Sequence, residues 1–154
     1  MPLHIYLDTN IIIRMFEARD HDDVAKYLLD VLIASNASAR SSIVTSQLAL
    51  AEVLVHPIRD GNQERQEDYL WLLGEHNAWI DTVPIQASIL IEAARLRATS
   101  KLKLPDAIHL ATATLYQCEI FLTEDLDFRA ATNIDVVRPD QDGLAQLSAR
   151  LEFR

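Results

Sequence analysis

Short apolar runs and helically spaced apolar stripes alternate along the chain, and polar turns separate them. Residues 3–7, Leu-His-Ile-Tyr-Leu, read as a strand, and Asp8-Thr9-Asn10 supplies capping groups for a helix starting at Ile11-Ile12-Ile13. Over 22–34 the positions Val24, Ala25, Leu28, Leu29, Leu32 and Ile33 recur at helical spacing behind an acidic start suited to the helix dipole. A Ser/Asn/Ala stretch over 35–42 ends it. Residues 42–45 predict a second strand, and Ser46 caps a helix over 47–55 that should stop before Pro57.

After the turn Asp60-Gly61-Asn62 the pattern gives an amphipathic helix over 63–74, a strand over 78–83 and a long helix from Pro84 to about Ser100. Pro105-Asp106 opens a helix over 107–117 whose apolar residues occupy most of its circumference, as in a helix buried on several sides. A strand over 119–123, an acidic loop over 124–127, a strand around 135–138 and a short helix over 143–151 complete the chain. Strands alternating with helices predict a parallel sheet covered on both faces, joined by right-handed crossovers.

The length, 154 residues, suits one domain with its own core, and 49% apolar with 24% charged residues is the balance of a globular protein. No apolar run approaches the roughly 20 residues that cross a bilayer, and Met-Pro-Leu-His lacks a basic region leading into an apolar one, so no membrane association and a cytoplasmic location are expected. The net charge of -9 excludes broad electrostatic coating of nucleic acid, so any such contact must be local. Cys118 lacks an activating context and reads as a structural thiol.

Four carboxylates stand where such a sheet places ligands, beyond the carboxyl ends of its strands. Asp8 follows the first strand, Asp125 follows the strand over 119–123, Asp106 opens the buried helix, and Glu52 lies within the helix after the second strand. Glu52 interrupts Leu48-Ala49-Leu50-Ala51 and Val53-Leu54-Val55, where an unpaired charge would cost several kcal/mol, so it must face something polar. Taken singly, Asp8 and Asp106 read as helix caps and Asp125 as a loop acid. Together, without an obvious basic partner, the four need cations to share a small volume. Hard Mg²⁺ or Mn²⁺ suits carboxylate oxygens better than zinc does. The five histidines show no paired ligand spacing and read as surface or packing residues, with His109 one turn from Asp106.

The set Leu7-Asp8-Thr9-Asn10, Ser46 with Glu52, Leu104-Pro105-Asp106-Ala107-Ile108-His109-Leu110-Ala111-Thr112-Ala113, and Leu122-Thr123-Glu124-Asp125-Leu126-Asp127-Phe128 resembles the PIN-domain nucleases. The resemblance spans residues 3–138 of a single domain over 1–154, leaving 139–154 as a helical extension. It implies a three-layer α/β/α sandwich with a central parallel sheet and a Mg²⁺- or Mn²⁺-dependent ribonuclease. By position, Asp8, Glu52, Asp106 and Asp125 match the family's catalytic and metal-binding acids. Asn10, Ser46 and Thr123 match supporting polar residues, and Asp127 an outer metal ligand, with Glu124 and Asp127 both able to compete with Asp125.

Short members with these motifs are similar to VapC toxins of bacterial toxin–antitoxin pairs, which implies an RNA substrate and an antitoxin partner, while the apolar content of the helices over 22–34 and 63–74 predicts a homodimer. The alternatives are a stand-alone PIN nuclease without an antitoxin, or a PIN-like binding module without chemistry. An aspartyl-phosphate enzyme fits less well, because position 10 is Asn10 rather than a second Asp and no Lys follows a late strand. Arg14, Arg95, Arg97, Lys101, Lys103 and Arg129 lie in segments leading to or from the motif turns and are candidates for positioning RNA.

Overall fold

A computed structural model describes residues 1–18, 20–74 and 79–154. The element order is β1 (Leu3–Leu7), α1 (Thr9–Phe16), α2 (Asp23–Ala37), β2 (Ser41–Ser46), α3 (Leu48–Arg59), α4 (Gln63–Leu73), β3 (Ile80–Val83), α5 (Ala87–Thr99) and α6 (Leu104–Leu115). β4 (Ile120–Leu122), a 3₁₀ helix (Leu126–Ala131), β5 (Asp135–Val137) and α7 (Gln141–Glu152) follow.

The five strands form one sheet in the order β3-β2-β1-β4-β5, and every neighbouring pair is parallel. Alternation along β1 explains the layers. Leu3, Ile5 and Leu7 join a core with residues of α1, α2, α4 and α7 on one face, while Tyr6 joins Val44, Phe121 and Leu110 of α6 on the other. On that second face α5 packs on α6 through Ile89, Ala93, Ala107 and Ala111. Helices on both faces of a fully parallel sheet make the expected α/β/α sandwich.

The sheet order fixes where a ligand would sit. The chain winds from β1 outward to β3, then returns to place β4 on the other side of β1, so the strand order reverses between β1 and β4. A crevice opens at such a point, beyond the carboxyl ends of the two strands. Asp8 and Thr123 are the residues that leave those two strands, and the Asp8 amide donates to the Leu122 carbonyl at 3.0 Å.

Two elements differ from the sequence reading. α3 runs through the buried Pro57 to Arg59 instead of stopping at 55. Pro57 removes one amide donor close to the helix end, and its carbonyl accepts from the Asn62 amide at 2.8 Å and Gln66 Nε2 at 3.1 Å, which pins the α3–α4 corner. The acidic loop is followed by a 3₁₀ turn, because Phe128 inserts between Phe121 and the sheet's second core. The predicted start of β3 at Ala78, like His76, lies outside the described residues. Among the described residues, no helix is long and apolar enough to cross a membrane.

Candidate metal centre and active site

Asp8 ends β1 in extended backbone and caps α1, accepting from the Thr9 amide at 2.8 Å through Oδ1. Its Oδ2 accepts from Thr123 Oγ1 at 2.7 Å and Asn10 Nδ2 at 3.3 Å. Asn10 in turn accepts from the Glu124 amide at 3.2 Å, so its side chain ties the start of α1 to the loop after β4. Thr123 is fully buried and also accepts from the Asp125 amide at 3.0 Å. This lattice holds Asp8 at 6% exposure. Burial pushes its carboxyl above the ordinary value of 3.8, although His109 and the Thr123 and Thr9 hydrogen bonds pull against that, and Glu52 adds to the rise.

Glu52 reaches the same place from α3. Its Oε1 accepts from Thr9 Oγ1 at 2.8 Å and lies 2.5 Å from His109 Nε2. His109, 1% exposed on α6, has its other ring nitrogen 2.7 Å from the hydroxyl of fully buried Tyr6. Nε2 donates to Glu52, and Nδ1 meets the Tyr6 hydroxyl. Burial raises the Glu52 carboxyl, but the hydrogen bond and charge of His109 and the Thr9 hydroxyl outweigh it and hold the group below its ordinary range.

Asp106 sits in the first turn of α6, half-buried, with no hydrogen-bond partner among the described residues. Its carboxyl is raised first by burial and next by the charge of Asp8, then further by Asp125 and Glu52 against the pull of His109. Asp106 therefore feels all three of the other predicted acids. Asp125 caps the 3₁₀ turn through the Asp127 amide at 2.9 Å, and Asp106, Asp125 and Asp127 line one cavity of about 550 Å³.

The remaining predictions sort as follows. Glu124 is turned to Arg14, 2.8 Å away, and Arg14 also grips Asp22 at 3.1 Å, so Glu124 is the acid of its loop already committed to a cation. Ser46 is buried and its hydroxyl accepts from the Leu48 amide at 3.1 Å, but the N-cap of α3 is Gln47 rather than Ser46, and among the described residues Ser46 makes no side-chain hydrogen bond to the acids. Arg95 pairs with Glu92, Arg97 bonds the Leu102 carbonyl and Arg129 the Val136 carbonyl. Burial pushes the Cys118 thiol up to about 12, in keeping with a structural role. Sequence reasoning undervalued Thr9, taken as a cap, and His109, taken as packing. The available signal was the three-residue step from Asp106 to His109, one helical turn on one face.

Among the described residues, no three His, Cys, Asp or Glu side chains already stand as a cage that could hold a metal ion. The donor chemistry nonetheless fits a hard divalent cation. The acids offer oxygen ligands, and the Asp8 and Asp106 carboxyls are raised first by burial, with neighbouring carboxylates adding to each.

The family model described as PIN domain matches residues 5–134. No curated protein matches the sequence. Among solved structures, a chain of a toxin–antitoxin complex from Klebsiella pneumoniae is 30% identical, with 88% of this chain and 98% of that one covered and a TM-score of 0.62. VapBC2 from Rickettsia felis, bound to a DNA fragment from its promoter, is 17% identical over 88% of this chain and 98% of that one, with a TM-score of 0.67. VapC20 from Mycobacterium tuberculosis, a sarcin-ricin loop cleaving toxin, is 18% identical over 82% and 94%, with a TM-score of 0.63. These last two likenesses speak to the fold alone.

Proposed function

The chain belongs to the PIN domain family, and from that premise we propose that it is a metal-dependent endoribonuclease acting through Asp8, Glu52, Asp106 and Asp125. The observation that carries the reading is geometric: Asp8 and Glu52 lie 3.9 and 2.5 Å from the same His109 Nε2, and Asp106, three residues before His109 on α6, shares a cavity with Asp125. Acids on a strand end, a helix interior, a helix start and a loop have no reason to meet for stability alone, since each raises the cost of the others.

The bound cation is Mg²⁺ or Mn²⁺, held by the four acids with Asp127 as an outer ligand. When bound, it supplies charge to polarise a phosphodiester and to acidify the attacking water. The protein's own part is orientation. Thr123 and Asn10 fix Asp8, and Thr9 with His109 fixes Glu52, so both carboxylates are set by hydrogen bonds before substrate arrives.

The substrate is RNA, and the protein is the toxin of a toxin–antitoxin pair, a role supported by its 30% identity to a chain of such a complex. We further propose a homodimer. Tyr27 and Ile33 on α2, and Leu70 and Trp71 on α4, leave large apolar side chains exposed that a second copy would cover.

Incubation of single-stranded RNA with the purified protein tests the activity. Cleavage in Mg²⁺ or Mn²⁺ that EDTA abolishes is expected, and undiminished cleavage in EDTA would remove the metal from the mechanism.

A further inference from the structure

The segment joining α5 to α6 presents two lysines to the acidic cleft. Ser100 and Lys103 have extended backbone. Leu102 is partly buried against the core that holds Leu110 and Phe121. Lys101 and Lys103 are exposed and line the cavity of about 550 Å³ that also contains Asp106, Asp125 and Asp127. The segment is fastened in place. Ser100 Oγ donates to the Leu96 carbonyl at 2.6 Å and accepts from the Leu102 amide at 3.3 Å, while Arg97 holds the Leu102 carbonyl at 3.4 Å.

Six basic residues were candidates for meeting RNA, and the structure divides them. Arg14 pairs with Asp22 and Glu124, Arg129 with the Val136 carbonyl, the exposed Arg95 with Glu92 and Arg97 with the Leu102 carbonyl, and none of the four lines the cavity of the acids. The Lys101 and Lys103 ammonium groups have no hydrogen-bond or ion-pair partner among the described residues, although three carboxylates line the same cavity. Opposite charges that share a cavity without pairing suit a ligand carrying both signs of complement, a cation for the acids and a phosphate for the lysines. A chain of net charge -9 repels a polyanion, so strand binding near the acids requires local cations.

We infer that Lys101 and Lys103 form a phosphate subsite, which holds backbone phosphates of the RNA strand next to the one presented to the acids. The inference rests on the proposed ribonuclease function and adds to it the side of the cleft along which the strand lies.

The test is fluorescence anisotropy of a single-stranded RNA oligonucleotide in Mn²⁺ over a series of NaCl concentrations. It uses the Asp8→Asn protein, so that the strand stays whole, with and without the added pair Lys101→Ala and Lys103→Ala. A third protein carries Lys101→Arg and Lys103→Arg. The alanine pair is expected to weaken binding at least tenfold and to flatten the salt slope by about 1.4, two phosphates at roughly 0.7 each. The arginine pair should keep affinity and slope near the parent's. Equal binding by parent and alanine pair, no binding by the parent, or weaker binding with an unchanged salt slope would each overturn the subsite. Cleavage by the natural protein is scored separately. Intact RNA there, alongside the predicted anisotropy differences, would sink the ribonuclease reading and leave the phosphate subsite standing.

Discussion

The imidazole of His109 lies 2.5 Å from the carboxylate of Glu52 across 57 residues of sequence, and it is the buried contact that holds an acid from α3 against the ends of β1 and α6. Tyr6 seats the ring from behind at 2.7 Å. An acid cluster without metal needs such a device, because repulsion would otherwise turn the half-exposed Glu52 out to solvent. Substituting Tyr6→Phe should cost about 0.5–1.5 kcal/mol by removing one buried hydrogen bond. His109→Ala should cost about 2–4 kcal/mol, since it leaves a cavity and removes the hydrogen bonds to Tyr6 and Glu52. Urea unfolding checks both, and equal midpoints for natural protein and His109→Ala would contradict the clamp.

Asp106 behaves oppositely to Glu52 with pH. Its carboxyl is raised in the folded state, so its favourable contribution is full below the ordinary value of 3.8 and is lost as pH rises through the higher folded value. Glu52 is held low, so its contribution is present above its ordinary value and fades as pH falls through the lowered one. Asp106→Asn should therefore melt higher than the natural metal-free protein at pH 7, with the gap closing toward pH 4. Saturating Mn²⁺ should reverse the order by stabilising the natural protein more. Thermal melts at the two pH values decide it, and a variant less stable at pH 7 would contradict the assignment.

Glu124 and Asp125 are neighbours with different fates. Glu124 is paired with Arg14, whereas Asp125 lines the cavity shared with Asp106. Glu124→Gln should leave Mn²⁺ affinity nearly unchanged and lower stability by about 0.2–1 kcal/mol, as for a partly exposed ion pair. Asp125→Asn should weaken Mn²⁺ binding at least tenfold. Calorimetric titration of the two variants checks this, and the reverse ranking would move the site to Glu124.

The proposed self-association places the exposed apolar side chains of α2 and α4 between two copies. Sedimentation at tens of micromolar protein, an order of magnitude suited to a stable interface, should show a dimer. Paired substitutions Leu70→Lys and Trp71→Lys, on the exposed surface of α4, should shift it to monomer. A natural protein that sediments as a monomer at that concentration would rule the dimer out.

Much of this was legible along the chain. Short apolar runs marked the strands, and Asp8 and Asp125 could be picked out because they follow strand ends, where parallel sheets bind ligands. Glu52 stood out as a charge within an apolar helix. The sheet order was not legible, because it depends on which strands pair across distant sequence rather than on any local period. For the same reason the Tyr6–His109–Glu52 chain was hidden. A histidine in the all-round apolar α6 resembles core packing until β1 and α3 are brought to it. Pro57 misled because local propensity ends a helix there, while tertiary packing and the Asn62 and Gln66 hydrogen bonds carry α3 past it.

Convergence of the acids on one cation is the claim on which the rest depends, and isothermal titration of Mn²⁺ into the natural protein and Asp106→Asn measures it directly. The account predicts a saturable heat for the natural protein and an affinity at least tenfold weaker for the variant, whose fold should survive because the Asp106 side chain has no hydrogen bond among the described residues. Equal affinities in the two proteins, or no heat in either, would contradict it.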